Sequence, residues 1–290
     1  MQKPFPLRAL LLAVVTFATT IPLAGCSINS VMRVENREVI DVATMIGELR
    51  DTPLVFAGER HDAPSHHRLQ LDILKALQAQ GKPLAIGMEM FEDFSQKALD
   101  AWSAGKVPEF AIRKVFESNW KYISWGLYQD ILLFARDNRI PVVALNPPRT
   151  VVQRVSRVGF ASLSEAELSL IPAGIDATAS DAFLELISSS YSMHGKKGDA
   201  FRFLCEAQLL RNRVMARRIG DYLARHPGTV MVVIAGGGHA RKTGGIPEEM
   251  GRMPYKVILP PVPGLDSDTV TVGDADYLME EPLSWLPEMP

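Results

Sequence analysis

Residues 58–70, GERHDAPSHHRLQ, gather three of the chain's six histidines, His61, His66 and His67, with the carboxylates Glu59 and Asp62. Far along the chain, GGGH at residues 236–239 repeats the spacing Gly-x-x-His. Glu89 interrupts the apolar run PLAIGMEMF, residues 83–91. A carboxylate there either faces a site or is buried with a partner, since burial alone costs several kcal/mol. Its nearest candidate partners are His61, His239 and Arg149. Glu59, His61, Glu89, Arg149 and His239 are therefore the candidate catalytic set. Two imidazoles and two carboxylates suit three arrangements: a divalent metal held by His61, Glu89 and His239, a base with its orienting acid, or a structural ion-pair network. The glycines permit close approach of backbone to a ligand. GGGH is neither a Walker loop nor GxGxxG, so a dinucleotide has little support.

Four apolar, β-branched runs must position these residues: PLVFAGE (53–59), PLAIGMEMF (83–91), IPVVALN (140–146) and TVMVVIAGGGH (229–239). They are continuously apolar, as strands buried on both faces should be. YKVILP, residues 255–260, is a fifth candidate. Helical patterns lie between them at 64–80, 93–104, 108–118, 126–138, 178–190 and 199–226. Strand–helix alternation with short turns predicts an α/β fold, a mostly parallel sheet covered by helices. The stretch 151–226 exceeds what a crossover needs and is expected to form a helical cap. Each of the first four strands ends in a polar or Gly-rich element, and open parallel sheets bind ligands beyond the carboxyl ends of their strands.

Helical phase divides the histidine cluster. Asp62 is the expected N-cap of the helix beginning near Pro64. His66 and Gln70 share the buried stripe of Leu69, Ile73, Ala76 and Leu77; His67 falls toward its flank and Arg68 points away. His66 is either a ligand-facing group or a satisfied histidine bonding the loop backbone. In the helix 199–226, Gln208, Asn212, Met215 and Ile219 share a face, so Gln208 and Asn212 can reach the strand ends while Met215 fills core. Arg211, Arg217 and Arg218 read as a solvated basic face. Tyr191 and His194, in the exposed-looking loop YSMHGKKG, are candidate ligands of haem iron. With His66, Gln70 and Gln208 they make up the candidate cofactor-binding set.

At 290 residues, with 47% apolar and 22% charged residues, the composition is that of a globular protein. A formal net charge of -2 without basic clusters gives no support to a nucleic-acid partner. Lys3 and Arg8 precede the apolar run Ala9–Ala18, too short to span a bilayer, and LAGC follows at residues 23–26. This order is that of a lipoprotein signal, residues 1–25, with Cys26 the lipidated N-terminus and Ser27 after it directing the protein to the outer membrane. Residues 26–38 read as a polar tether and 39–290 as one domain. Cys205 is then left without a partner, so no disulfide is expected.

The segments LVFAGERHDAPSHHRLQLDIL, AIGMEMFEDFSQKALD, PVVALNPPRTVVQRVSRVG, EAQLLRNRVMARRI and VVIAGGGHAR resemble, in order, the ChaN-like haem-binding lipoproteins of the Tiki superfamily, which also includes the Tiki metalloproteases and the erythromycin esterases. The resemblance spans Leu54 to Leu259. It implies an α/β fold with a helical lid, haem as cofactor, and a role in haem or iron acquisition with an outer-membrane haem receptor as a partner. It also implies haem held between two protomers through a tyrosine. Glu59, His61, Glu89, Arg149 and His239 carry over by motif. Arg60 stands where an apolar residue is common, and Asn212 where the family often has Asp, which weakens an acid–base or metal role at 212. Two readings follow: a haem-binding module, or a hydrolase in which His61, Glu89 and His239 hold a metal or position water while Arg149 stabilises an oxyanion.

Overall fold

Strand runs as apolar as these can be accommodated only in a sheet covered on both sides. The computed structural model, which describes residues 28–190, 198–262 and 264–281, places them there. In chain order the elements are β1 (Ser30–Arg33), β2 (Glu38–Asp41), α1 (Val42–Glu48), β3 (Leu54–Glu59), α2 (Pro64–Ala79), β4 (Leu84–Glu92), α3 (Gln96–Ser103), α4 (Glu109–Asn119), α5 (Trp125–Asp137) and β5 (Val142–Asn146). There follow α6 (Arg149–Val158), α7 (Glu165–Leu168), α8 (Asp181–Ser190), α9 (Asp199–Arg225), β6 (Val230–Gly236), α10 (Gly237–Ala240), β7 (Lys256–Leu259) and β8 (Tyr277–Met279). The eight strands form one sheet in the order β2-β1-β8-β7-β3-β6-β4-β5. From β8 to β5 all neighbours are parallel; β1 pairs antiparallel with β2 and β8. This is the mostly parallel α/β sheet expected from the sequence.

Register decides what meets at the carboxyl ends. β6 lies between β3 and β4, pairing Glu59 with Gly236 and Met88 with Ile234. The two Gly-x-x-His segments therefore emerge side by side, with Glu89 on the next strand. One sheet face packs against α2, α3, α4 and α5 through Leu69, Ile73, Leu99, Trp102, Phe116 and Ile131. The other packs against the second half of α9 through Met215, Ala216 and Ile219. At 27 residues, α9 is about 40 Å long, enough to continue past the sheet. Its first half joins α6 in a separate apolar cluster of Val151, Val155, Leu209, Leu210 and Val214, which forms the helical cap.

Two expectations are corrected. Residues 30–33 and 38–41, placed in or beside the tether, form β1 and β2, because Val31 and Met32 bury against β8. Strands this short carry no periodicity to read, which also hid β8. Asp62 does not cap α2; the cap position is Ala63, without a side-chain bond. Instead His66 Nδ1 accepts the Arg60 N–H at 2.9 Å. Cys26 and the signal region lie outside the described residues, as do Tyr191 and His194. No helix among the described residues is long and apolar enough to cross a membrane.

β5 is an edge strand, and edges left open invite pairing with other chains. The Gln96 amide closes it: Nε2 donates to Val142 O at 2.9 Å and Oε1 accepts the Ala144 N–H at 2.8 Å. Gln96→Leu removes both bonds and leaves two edge groups unpaired. The expected loss is about 1–3 kcal/mol of unfolding free energy by urea denaturation, with increased self-association. Unchanged stability and a monodisperse product would contradict this role.

Candidate functional site

Glu59, the last residue of β3, is 2% exposed, and Glu89 in β4 is 1% exposed. Buried carboxylates need donors, and each has them. Glu59 Oε1 accepts from His61 Nδ1 at 2.8 Å and from the Tyr128 hydroxyl; Oε2 accepts from Gln70 Nε2 at 2.7 Å and lies 3.3 Å from His67 Nδ1. Burial pushes the Glu59 carboxyl up, but the hydrogen bonds from His61 and His67 outweigh it and hold it at about 2. Glu89 Oε2 accepts the Gly236 N–H at 2.7 Å, and Oε1 accepts from Arg211 Nη2 at 2.5 Å. Burial is again the largest effect and again overcome, here by the Arg211 charge, so Glu89 also lies at about 2. Arg211 is fixed by a second bond, Nε to Asn146 Oδ1 at 3.0 Å.

The two histidines differ in state. His61 is desolvated, which lowers it, yet the bond to Glu59 and the charge of Glu89 more than compensate and raise it above its ordinary value. With Nδ1 committed to Glu59, its Nε2 remains for a ligand. Its ring packs edge-on against Trp120 at 5.1 Å. A Cβ at Gly236 would stand 3.0 Å from that ring, so glycine is what lets His61 approach β6. His239 is lowered by burial and by Arg211 to about 3, so it is neutral near pH 7. The Asn212 amide is oriented by donating Nδ2 to Gly244 O at 2.8 Å, and its Oδ1 lies 2.6 Å from His239 Nδ1. That places the His239 proton on Nδ1, with Nε2 3.9 Å from Glu89 Oε1.

These groups floor a cavity of about 770 Å³, within the ordinary range for small-molecule sites. Its walls include Trp120 and Ile123 from the α4–α5 loop, and Ile187, Leu204 and Cys205 from the cap. Burial pushes the Cys205 thiol up to about 11.

The structure thus brings Glu59, His61, Glu89 and His239 together, with Gln208 and Asn212 in the lining. Arg149 is not among them. It begins α6, and its side chain runs back to Asn119 O while its N–H donates to Glu92 Oε2 at 2.9 Å. Arg211, read as solvated, takes the place beside Glu89, and Arg218 pairs with Asp93 at 3.0 Å; only Arg217 is a surface group. His66 and Gln70 do not face the cavity. His66 holds the loop backbone, with Nε2 3.0 Å from Glu281 Oε1 but out of line for a hydrogen bond; Gln70 is buried, bonding Ala57 O and Glu59. His67 is buried, not flanking, because α2 is covered by α5 as well as the sheet, and it packs on Tyr128. The metal trio finds no support. Among the described residues no three His, Cys, Asp or Glu groups are disposed to hold an ion. Glu89 is instead neutralised by a guanidinium at its oxygen.

Tyr128 and Arg211 carried faint signals. A phenol on the apolar stripe of α5, with Ile131 and Leu132, needs a buried acceptor, and Arg211 adjoins Asn212 on α9.

A stability profile follows from these states. His239 binds its proton more weakly folded than unfolded, so stability falls as pH drops from about 6.5 toward 3. The Glu59 and Glu89 contributions are present above about 4.3, their unfolded value, and are lost as pH falls toward 2. His61 acts oppositely, its contribution present below about 6.5 and lost as pH rises through its raised folded value. Thermal melts from pH 7 to 4 should show a falling midpoint, and His239→Gln should flatten the portion above pH 5. An unaltered profile in the variant would rule out a buried neutral His239.

Protein RETICULATA-RELATED 5, chloroplastic, of Arabidopsis thaliana is 24% identical over 222 residues, 71% of this chain, and the chain spans about 30% of that relative's length. Among solved structures, ChaN of Campylobacter jejuni, described for its cofacial heme binding, superposes with a TM-score of 0.66 at 20% identity over 86% of this chain and 95% of that one, the same fold. Erythromycin esterase EreC superposes with a TM-score of 0.48 at 11% identity over 75% of this chain and 72% of its own. The family model for haem-binding uptake, Tiki superfamily, ChaN, matches residues 45–250, and the chain belongs to that family.

Proposed function

We propose that this chain is a haem-binding lipoprotein of the outer membrane, anchored through lipid on Cys26, that captures or relays haem in iron acquisition. Its partners on this reading are haem, the membrane, a second copy of the chain and an outer-membrane haem receptor. The observation that carries the reading is the cavity at the strand ends, in a chain of the ChaN family. Its residues suit a flat apolar macrocycle with acidic edges: Trp120, Ile123, Ile187 and Leu204 offer apolar walls, and His61 and Arg211 offer donors. Bound haem would supply an iron open to oxygen or nitrogen ligands. Tyr128 is spent on Glu59, whereas Tyr122, beside the Trp120–Ile123 wall, is 95% exposed. Tyr191 and His194, the ligands expected from the sequence, lie outside the described residues. Hemin added to the chain lacking its signal should give a saturable Soret band, with affinity reduced at least tenfold, about 1.4 kcal/mol, in Tyr191→Ala. The absence of any saturable band would overturn the reading.

One observation favours a second reading, a hydrolase. His61, oriented by Glu59 and open at Nε2, stands where it can take a proton from water, with Arg211 rather than Arg149 beside a developing oxyanion. His61 is a base only when neutral, so such activity should rise with pH through its raised titration. Esterase and peptidase assays should show activity abolished by His61→Ala. Activity unaffected by that change would remove this reading.

A further inference from the structure

The chain enters its fold at the edge of the sheet that carries the polar site. Ile28 is buried with Val31, Ile40 and Met45, and β1 begins two residues after it. β1 runs antiparallel to β8, which is parallel to β7, itself parallel to β3. The pairings Ala57–Ile258, Leu259–Leu278 and Met279–Val31 carry the register across, so Val31 stands level with Glu59 at the carboxyl edge. Three strand spacings, about 14 Å, separate β1 from β3. The residues after β8 close this corner. The Glu280 N–H donates to Ser30 O at 3.1 Å, and Ser65, in the first turn of α2 beyond the His61 loop, donates to Glu281 at 2.7 Å. Cys26 precedes Ile28 by two residues, so by covalent geometry alone its Cα is within about 8 Å of that of Ile28.

Two large aromatic side chains are exposed on the same edge: Phe94, just after β4, and Tyr122, in the α4–α5 loop. That loop belongs to the carboxyl edge because Asn119 Oδ1 accepts the Glu92 N–H at 2.8 Å and Trp120 packs on His61. Charge does not set what approaches here, since Arg60 pairs with Asp62 at 3.2 Å and Arg218 with Asp93 at 3.0 Å. Phe110, also exposed, is at the far end of α4 and lies under the Lys114 ammonium.

We propose that the carboxyl edge of the sheet is the membrane-facing surface of the protein: lipid on Cys26 holds that edge to the bilayer, and Phe94 and Tyr122 enter the headgroup layer. The inference rests on the anchoring at Cys26 in the reading above and adds the orientation that a two-residue link imposes. The opposite, amino edge lies a strand's length away, about 20 Å along β3. Aromatic side chains favour the membrane–water interface, and two of them give only a weak hold. The anchor makes their contact intramolecular, so a weak hold is enough to set the orientation. The Trp120–Ile123 wall of the cavity then stands beside lipid, which shortens the path of an apolar occupant through water.

The test uses the full chain, made with its own signal, purified in detergent and reconstituted into phosphatidylethanolamine–phosphatidylglycerol vesicles. A fluorophore is attached either at Lys121→Cys, beside Tyr122 on the carboxyl edge, or at Asp51→Cys, ahead of β3 on the amino edge; both positions are exposed. Cys205 is buried, so labelling of the folded protein selects the introduced thiol. Quenching is by phosphatidylcholine spin-labelled on its headgroup. The label at 121 should lose at least twice the fraction of emission lost at 51. Phe94→Ser combined with Tyr122→Ser, both at exposed positions, should reduce that difference by half or more. Equal quenching at the two positions, stronger quenching at 51, or quenching at neither would overturn the proposal, while acyl chains found on Cys26 by mass spectrometry would leave the anchored reading standing. Quenching unchanged by the two serine substitutions would overturn the part given to Phe94 and Tyr122. A Cys26 free of acyl chains would overturn the proposal and the anchored reading together.

Discussion

Two ionised carboxylates lie near the ends of two buried strands, β3 and β4, on either side of β6, almost out of reach of water, and the local structure is organised by the need to keep them charged. A carboxylate left unpaired in such surroundings costs several kcal/mol or takes up a proton. Glu59 draws donors from α2, α5 and its own loop: Gln70, His67, Tyr128 and His61. Glu89 draws Arg211 from α9 and a backbone N–H from the β6–α10 turn. Elements distant in sequence thereby converge on one place at the strand ends. The two imidazoles differ in consequence: Glu59 orients and raises His61, whereas burial, helped by Arg211, lowers His239 against the charge of Glu89. One histidine is poised to carry charge and the other is held neutral.

The cap completes the site through a single rigid element. α9 packs its second half on the sheet and its first half in the cap, so Gln208, Arg211 and Asn212 sit where the two meet. The polar floor comes from the sheet and α9, and the apolar walls from the α4–α5 loop and the cap. The cavity is thus lined by both polar and apolar groups, which suits an amphiphilic ligand more than a uniformly polar one.

Much of this was legible in the residues. The central strands announced themselves because burial on both faces requires unbroken apolar runs, and their polar ends marked the site. The kinship of GERH with GGGH needed only spacing, and Glu89 was conspicuous because its surroundings were apolar. What stayed hidden was pairing that depends on how helices cross the sheet. Arg149 is near Glu89 in the order of strand ends, yet Arg211 reaches it because α9 lies across that end. His67 looked peripheral on a wheel with one buried face, but α2 is covered on two sides. β1, β2 and β8 are three or four residues each, too short to show a period.

The central claim is that the two Gly-x-x-His imidazoles are held in opposite protonation tendencies, His61 raised by its carboxylate partners and His239 lowered by burial and Arg211. The most direct measurement is a titration of the imidazole nitrogens by 15N NMR in uniformly labelled protein, with His61→Gln and His239→Gln as assignments. His61 should titrate above about 6.5, the value of a free histidine. His239 should stay neutral as far down as the fold persists, with its proton on Nδ1. His239 titrating near 6.5, or His61 below it, would contradict the account.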